Sequence, residues 1–330
     1  MSDQKSHHKH NPSTDPTFRR LSQINGFINV MNADQLRQRL QQLSLEESGS
    51  MDSCRRRLKS HYRNEAMSKV YKKTVTYHYD MICIVDFEAT CDSQTNPQPI
   101  QEIIEFPAIM VDVKQKQIVS TFHEFVKPKC TEKLSDFCVD LTAISQEVVD
   151  KSDTFAHVLD KFENWFHGFI DDNDVKSFAL ATDGPCDMSH FFAQTCKLYD
   201  IPYPSYAKRW INIRKLFVSQ YKTYKLSLDE MLTHLGMQFK GRQHSGYDDA
   251  LNIANLLIRM IIDGANPVIN ERISWHHSER KCLADLRCGF VRVFYNKSSD
   301  GLNLSDSDDS ISEAISEELN EEKRIRRSAK

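Results

Sequence analysis

The stretch ICIVDFEATC, residues 82–91, decides the fold of this chain. Its four apolar residues at 82–85 predict a buried strand that ends in two carboxylates, Asp86 and Glu88. Side chains two positions apart on a strand point the same way, so these acids project from one face at the strand's carboxyl end. Two neighbouring carboxylates repel each other unless a proton or cation lies between them. A hard divalent cation such as Mg²⁺ meets that need, because it takes oxygen ligands.

Two further acidic clusters favour the metal over the alternative, a strand-end pair that faces solvent. Residues 177–182 predict a short strand, and a Gly-Pro pair then places Asp187 near the first turn of an apolar helix. Residues 246–263 predict a helix with one apolar stripe, with Asp249 in its first turn and His244 just before it. Each could singly be an exposed loop or helix-start residue. Together, each at an element end, they favour metal-dependent phosphoryl transfer.

The motifs D-F-E-A-T, D-x-x-x-D-M and H-x-x-x-x-D together resemble those of the DEDDh 3′–5′ exonucleases. The resemblance implies an α/β, ribonuclease-H-like fold, a mixed sheet flanked by helices. It also implies two metal ions held by four acids, which here are Asp86, Glu88, Asp187 and Asp249. The implied ion is Mg²⁺, two per site, with Mn²⁺ as the alternative. The implied catalytic residues are Glu88 and His244, the latter as general base.

Three positions near these motifs qualify the resemblance. Asp183 stands where many of these enzymes carry Asn, and Gly246 stands where Ala is common. Asp248 lies one position too early for the last acid and is assigned as a neighbour of the site. None of the three removes an implied metal ligand.

Longer segments are similar to the Eri-type 3′–5′ exoribonucleases over about residues 25–275. They are EIIEFP (102–107), SDFC (135–138), ATDGPCDM (181–188), WINIRK (210–215) and INERISW (269–275). This resemblance implies an enzyme that trims RNA 3′ ends and releases nucleoside 5′-monophosphates. Implied candidate substrates are small RNAs with overhangs, the histone mRNA stem-loop and 5.8S ribosomal RNA, and RNA-processing complexes are candidate partners. The residues implied to contact the terminal nucleotide are Glu88, Ala89, Phe137, Met188 and His244.

Phe137 and Met188 are candidates to sandwich the terminal base, with ordinary core packing as the alternative. Stacking accepts any base, so it would recognise an RNA end without reading its sequence. The first rival function is a DNA-directed exonuclease, because discrimination between the sugars requires contacts to the 2′-hydroxyl. The second rival is a non-catalytic RNA-binding scaffold. The presence of all four acids and of His244 argues against it.

Residues 27–64 resemble a SAP motif, a short helix–loop–helix that binds nucleic acid. An amphipathic helix precedes a basic segment whose predicted RNA-binding residues are Arg55, Arg56, Lys59 and Arg63. A solvated charged face is the alternative. Residues 1–80 carry 14 Lys/Arg against 8 Asp/Glu, a net of +6, whereas residues 300–330 carry a net of −4. A basic front end suits a protein that holds a polyanion.

The chain divides into five predicted regions. They are a disordered segment at 1–24, the SAP-like helices at 25–66, the exonuclease domain at 78–275, a C-terminal element at 276–298 and an acidic disordered tail at 299–330. Nine cysteines without CxxC pairs favour reduced thiols, and hence a cytoplasmic and nuclear protein. We expect no membrane segment. A zinc site at His276, His277, Cys282 and Cys288 is a weaker alternative, because its spacing matches no established pattern.

Overall fold

The computed structural model describes residues 15–71, 76–92 and 100–273 of the 330-residue chain. These residues all fall within one compact unit that spans 1–293. The C-terminal element, the acidic tail and the four residues of the zinc alternative lie outside the described residues. Within the described ranges, no helix is both long enough and apolar enough to cross a membrane.

The centre of the molecule is a mixed sheet of eight strands. The strands are β1 (Met81–Val85), β2 (Glu88–Ala89), β3 (Ile103–Asp112), β4 (Gln117–Lys127), β5 (Asp153–Thr154), β6 (Phe178–Thr182), β7 (Arg209–Asn212) and β8 (Glu271–Arg272). Their order is β5-β4-β3-β1-β6-β7-β8, and β2 pairs with β3. Strands β1, β6 and β7 are parallel, whereas β3 runs antiparallel to β1. The carboxyl ends of β1 and β6 therefore meet at one edge, which brings the first two acidic motifs together.

Helices cover both faces of the sheet. They are α4 (Asp136–Thr142), α5 (Gln146–Lys151), α6 (Phe155–Asp172), α7 (Ala193–Leu198), α8 (Ile213–Tyr221), α9 (Leu228–His234), α10 (Gly246–Ile262) and a 3-10 turn (Ser205–Ala207). One core lies between the sheet and α8, α9 and α10, and a second lies between the sheet and α6 and α7. Strand β3 is buried along its whole length because both cores flank it. This accounts for its nearly continuous apolar sequence.

The apolar helix predicted to begin near Asp187 is not a regular α-helix over its first residues. Residues Asp187–Phe192 are π-helical, and the chain continues as α7. The apolar side chains of Met188, Phe192 and Cys196, four apart, are all buried. A π turn holds one extra residue, and such turns occur often at functional sites.

The N-terminal residues form three helices, α1 (Pro16–Val30), α2 (Ala33–Gln42) and α3 (Met51–Tyr71). The prediction that residues 1–24 are disordered is therefore wrong from Pro16 onward. Asp15 caps α1 by accepting a hydrogen bond from the Thr17 N–H at 2.7 Å, and Pro16 is favoured in the first turn. Leu21 and Ile28 are buried, so α1 is stabilised by packing that local composition did not reveal.

The three N-terminal helices, here called the helical module, are attached to the sheet-containing part by a buried ion pair. Arg57 Nε of α3 donates to Asp263 Oδ1 at 2.8 Å, and the two side chains are 1% and 0% exposed. Ser53 Oγ and the Tyr221 hydroxyl donate to the other oxygen of Asp263, at 2.6 and 2.9 Å. Because Asp263 follows the last residue of α10, the module is bound directly to a helix that begins near the edge where the acidic motifs meet.

Candidate active site

The first motif is held in place by alternation at the end of β1. Phe87 points into the core, where its ring packs edge-on against Phe106 at 4.7 Å and stacks on Phe192 at 5.8 Å. Asp86 and Glu88, on either side of it, are half-buried at the sheet edge, as the two-residue period predicts. The Phe87 N–H donates to Asp187 Oδ1 at 3.0 Å. The backbone of the first motif therefore orients the carboxylate of the second.

The third motif brings the histidine and the last acid together through the backbone. His244 adopts a left-handed conformation (φ 60°), and its N–H donates to Asp249 Oδ2 at 2.9 Å. The His244 side chain is exposed, as a base that must meet a water requires. Asp248 is turned away, since its Oδ2 accepts from the Arg242 N–H at 2.8 Å. This placement agrees with the assignment of Asp249 as the site residue and Asp248 as its neighbour.

Glu105 of β3 is a site residue that the sequence analysis missed. It is 2% exposed, and its carboxylate accepts hydrogen bonds from the N–H groups of Gly246 at 2.9 Å and Tyr247 at 3.3 Å. His123 Nε2 lies 2.7 Å from the same carboxylate. An acid at the start of a helix is favoured by the helix dipole. Glu105 thus holds the start of α10, and with it Asp249, against the sheet. An acid inside an otherwise apolar strand was the sequence feature that could have identified Glu105.

The four predicted metal acids share a site in which negative charge is disfavoured. Burial, and secondarily the nearby Glu105, raises the pKa of Glu88 to about 8. Burial likewise raises the pKa of Asp187 and that of Asp249 to about 7 each, although each accepts a backbone N–H that opposes the shift. The pKa of Asp86 lies well above its ordinary value because of burial and then repulsion by Asp187. The four acids therefore lie close enough together for the charge of one to disfavour the charge of the others.

Asp183 is a fifth acid at this edge, and Arg214 at the start of α8 binds it. Arg214 Nε donates to Asp183 Oδ2 at 2.8 Å, and the Arg214 N–H donates to the Asp183 carbonyl at 3.2 Å. The other carboxylate oxygen, Oδ1, is buried and has no hydrogen-bond partner among the described residues. Asp183 also raises the pKa values of Asp187 and Asp249, so it lies within the same electrostatic site.

The donor chemistry of the site suits a hard divalent cation. Its acidic side chains offer only oxygen ligands, and their raised pKa values report a repulsion that a cation would relieve. In the described part of the chain, no three His, Cys, Asp or Glu side chains already form a group that could hold a metal ion. Two carboxylate oxygens are occupied by backbone N–H groups instead, on Asp187 and Asp249. Metal binding would therefore require the carboxylates to draw together.

The residues predicted to contact the terminal nucleotide fall into two classes. Phe137 on α4 is 43% exposed and available to stack on a base. Met188 is 1% exposed and packs in the core with Phe87 and Phe192, and its contact with the terminal base stays a prediction. Its apolar side chain fills the core beneath the π turn. Ala89 is 7% exposed and lies in β2, where it pairs with β3.

The predicted RNA-binding residues of α3 are largely engaged with their own chain. Arg55 Nη2 donates to the Met31 carbonyl at 3.1 Å, and Lys59 Nζ donates to Asn29 at 2.6 Å. Arg56 pairs with Asp52 at 2.8 Å and remains half-exposed, and Arg63 is exposed. RNA binding by these four residues stays a prediction.

Comparison with known proteins identifies relatives over most of the chain. Residues 83–257 match the exonuclease family model. The chain is 39% identical over 262 residues to 3′-5′ exoribonuclease 1 of Rattus norvegicus, covering 79% of this chain and 76% of that protein. It is 40% identical over 263 residues to the Homo sapiens protein of the same name, covering 79% of this chain and 75% of that protein.

Solved structures give the same result. A structure described as 3′-end specific recognition of histone mRNA stem-loop by 3′-exonuclease superposes with a TM-score of 0.58 at 38% identity, covering 79% of this chain and 91% of that one. The nuclease domain of 3′hExo, a DEDDh family member bound to rAMP, superposes with a TM-score of 0.57 at 42% identity. The match covers 60% of this chain and 100% of that one.

Proposed function

Because this chain belongs to the Eri-type 3′–5′ exoribonucleases of the metal-dependent DEDDh family, we propose that it trims structured RNAs from their single-stranded 3′ ends. The product is a nucleoside 5′-monophosphate. The observation that carries this proposal is the single sheet edge at which the segments that bear Asp86, Glu88, Asp187 and Asp249 meet. A relative of similar fold recognises the histone mRNA stem-loop, which makes stem-loop RNA the first substrate to test, before small RNAs and 5.8S ribosomal RNA.

Mg²⁺ is the ion proposed for this site, with Mn²⁺ as the alternative. Asp86, Glu88, Asp187 and Asp249 would hold it, and the bound ions would activate water and stabilise the leaving oxygen. The Phe87 N–H keeps the Asp187 carboxylate oriented toward the site. The buried Glu105 keeps the start of α10 in place, and with it Asp249 in the first turn of that helix.

His244 is proposed as the general base. Its exposed imidazole sits on a left-handed turn whose N–H is bound to Asp249, so the ring is held next to the acids and open to water. Phe137 is proposed to stack on the terminal base, and Glu88 with Ala89 to line the nucleotide site. The helical module is proposed to add RNA affinity, and the protein is proposed to act in cytoplasm and nucleus.

A three-substrate assay tests the function. We would incubate the protein with 5′-labelled single-stranded RNA, the same sequence as DNA, and a stem-loop RNA with a 3′ tail, each with Mg²⁺, Mn²⁺ or EDTA. We expect stepwise shortening of both RNAs from the 3′ end, release of 5′-monophosphates and no product in EDTA. The Asp86→Asn variant is the matched control. Faster shortening of the DNA than of either RNA would contradict the proposal.

A further inference from the structure

A short basic and aromatic segment between α8 and α9 lies outside the catalytic site and has no assigned role. Residues 222–225, here called the 222–225 loop, contain Lys222, Tyr224 and Lys225, all exposed. Tyr224 is 74% exposed, an unusual position for a large aromatic ring. Neither lysine has an ion-pair partner within the described ranges of the chain, whereas Lys215 on α8 pairs with Glu271 at 2.8 Å.

The loop begins next to the helical module. Helix α8 ends at Tyr221, whose hydroxyl donates to Asp263, the same acid that binds Arg57 of α3. The Arg56 guanidinium lies over the Tyr221 ring, 5.8 Å from its centroid. The first residue of the loop, Lys222, therefore follows directly after the contact between module and nuclease.

The loop then returns to the catalytic edge. Arg214 at the other end of α8 is bound to Asp183 of the second motif. Helix α9 returns to the module at its far end, where the Ser50 N–H donates to the His234 carbonyl at 3.0 Å. Because α8 and α9 both end at the module, the loop between them runs away from the module and toward the end of α8 that holds Arg214. The loop therefore extends from the module toward the second motif.

The backbone of the loop is fixed at both ends. Lys222 closes α8 in a left-handed conformation (φ 56°), and Leu226 is 7% exposed in the core. Ser227 then caps α9 by accepting a hydrogen bond from the Glu230 N–H. The three exposed side chains are therefore presented from a constrained segment that bears positive charge and an open ring.

We propose that the 222–225 loop binds the RNA strand upstream of the scissile phosphate and connects the helical module to the catalytic site. Single-stranded nucleic acid is bound by cationic side chains that follow the phosphates and by aromatic rings on which bases stack. Lys222 and Lys225 supply the cationic side chains, and Tyr224 supplies the aromatic ring. The inference rests on the proposed exoribonuclease function and names a further subsite for the same substrate.

The test compares two variants with a matched control. The variants are Tyr224→Ala and Lys222→Gln with Lys225→Gln. The control is Lys114→Gln with Lys116→Gln, in the turn between β3 and β4 at the opposite end of the sheet; Lys116 is also left-handed, with φ 58°. Affinity for a single-stranded RNA of about 12 nucleotides, a typical length for such sites, is measured by fluorescence anisotropy in EDTA over a range of salt.

Tyr224→Ala should weaken RNA binding by about 5- to 100-fold, the usual range for one stacked base. The lysine pair should lower the salt slope by about 1.4, at roughly 0.7 per phosphate contact on a single strand. The control should keep the wild-type affinity and slope. When the same RNA is hydrolysed with Mg²⁺, the loss of affinity in the loop variants should appear as a higher KM.

Hydrolysis of a nucleoside 5′-(p-nitrophenyl) phosphate, which extends no further than the catalytic site, reports whether the catalytic side chains remain in place. Unchanged affinity and salt slope in both loop variants would overturn the inference, even if the enzyme degrades RNA. A wild-type protein that hydrolyses the ester but not RNA would instead overturn the proposed function. The two failures are therefore distinguishable.

Discussion

At the scale of single residues, Asp187 acts in opposite directions on stability and on chemistry. Its carboxylate is 6% exposed and close to other acids, so its negative charge destabilises the fold in the absence of a cation. The same charge is what attracts the cation that the chemistry needs. Removal of the charge should therefore separate the two effects.

Asp187→Asn should abolish RNA hydrolysis and raise the melting temperature in EDTA. The Asn oxygen can still accept the Phe87 N–H, while the repulsion is gone; each kcal/mol gained corresponds to about 2–4 °C. Asp86→Asn should also abolish hydrolysis. Asp248→Asn is the control and should retain most activity, since Asp248 binds the Arg242 N–H instead. Near-wild-type hydrolysis by Asp187→Asn at saturating Mg²⁺ would refute the assignment.

His244→Asn should lower kcat by about 10²- to 10⁴-fold, the usual contribution of a positioned acid–base group. Asn is the sharper substitution than Ala, because Asn tolerates the left-handed backbone that His244 adopts. The limb of the pH–rate profile that rises through neutrality should disappear, and RNA affinity in EDTA should not change. If the variant kept the wild-type pH profile, His244 would not be the base.

The stability of the metal-free protein should fall as pH rises from about 4 to about 8. The folded-state pKa values of Glu88, Asp187 and Asp249 are about 8, 7 and 7, above their unfolded values. The folded state thus binds more protons, and stability decreases with pH across that window. Added Mg²⁺ should raise the melting temperature more at pH 8 than at pH 5. An equal shift at both pH values would contradict this linkage.

The residues that chemistry demands were predictable, and those that position them were not. Asp86 comes directly after an apolar strand and Asp249 lies at the start of an apolar helix, so the apolar pattern placed both residues at element ends. Glu105 lies within an apolar strand, and its partners, two N–H groups of α10, are more than a hundred residues away in the chain. Met188 lies beside Asp187 and is buried, and its predicted contact with the terminal base stays a prediction.

At the scale of elements, α10 starts unusually close to the end of β1. A Cβ built on Gly246 would lie 2.6 Å from the Asp86 carbonyl oxygen and 3.2 Å from Glu105 Oε2. The first of these distances is too short for any side chain without movement of the backbone. This close approach is what brings the third motif to the first.

Gly246→Ala should therefore displace the start of α10 and lower both stability and kcat. Overpacking of this kind typically costs about 1–3 kcal/mol, and urea denaturation with single-turnover hydrolysis measures both effects. Gly168→Ala is the matched control, since a Cβ there meets nothing within 4 Å and the residue lies within helix α6. Wild-type turnover in Gly246→Ala would show that the contact does not position the site.

Elements with a marked apolar pattern were predicted well, and several short ones were missed. The strands predicted at 82–85 and 177–182 and the helix predicted at 246–263 correspond closely to β1, β6 and α10, because apolar patterns mark them. Strand β7 has only four residues and runs directly into α8, and the sequence analysis did not identify it. Helices α4 and α5 have seven and six residues, too few for a clear periodic pattern.

At the scale of the whole molecule, the helical module and the nuclease share one buried charge pair. Breaking such a pair is strongly destabilising, because it leaves an uncompensated charge. An exposed pair on the same helix, Arg56 with Asp52, provides the contrast. Exposed pairs of this kind contribute about 0–1 kcal/mol.

Arg57→Met should lower the free energy of unfolding by about 3–5 kcal/mol, whereas Arg56→Met should change it by less than about 1 kcal/mol. Combining Arg57→Met with Asp263→Leu should recover a large part of the loss, since no charge is then left unpaired. Chemical denaturation of the wild type, Arg57→Met, Asp263→Leu, their combination and Arg56→Met measures these differences. Equal losses from Arg57→Met and Arg56→Met would show that the buried pair does not join the two parts.

The same ion pair limits how this protein can be recombined with its relatives. A chimera whose first 71 residues came from another protein would retain Asp263, and with it a demand for a cation at the place of Arg57. Only donors that supply such a residue on the third helix should yield a soluble hybrid. The module and the catalytic half therefore have to be exchanged as a matched pair.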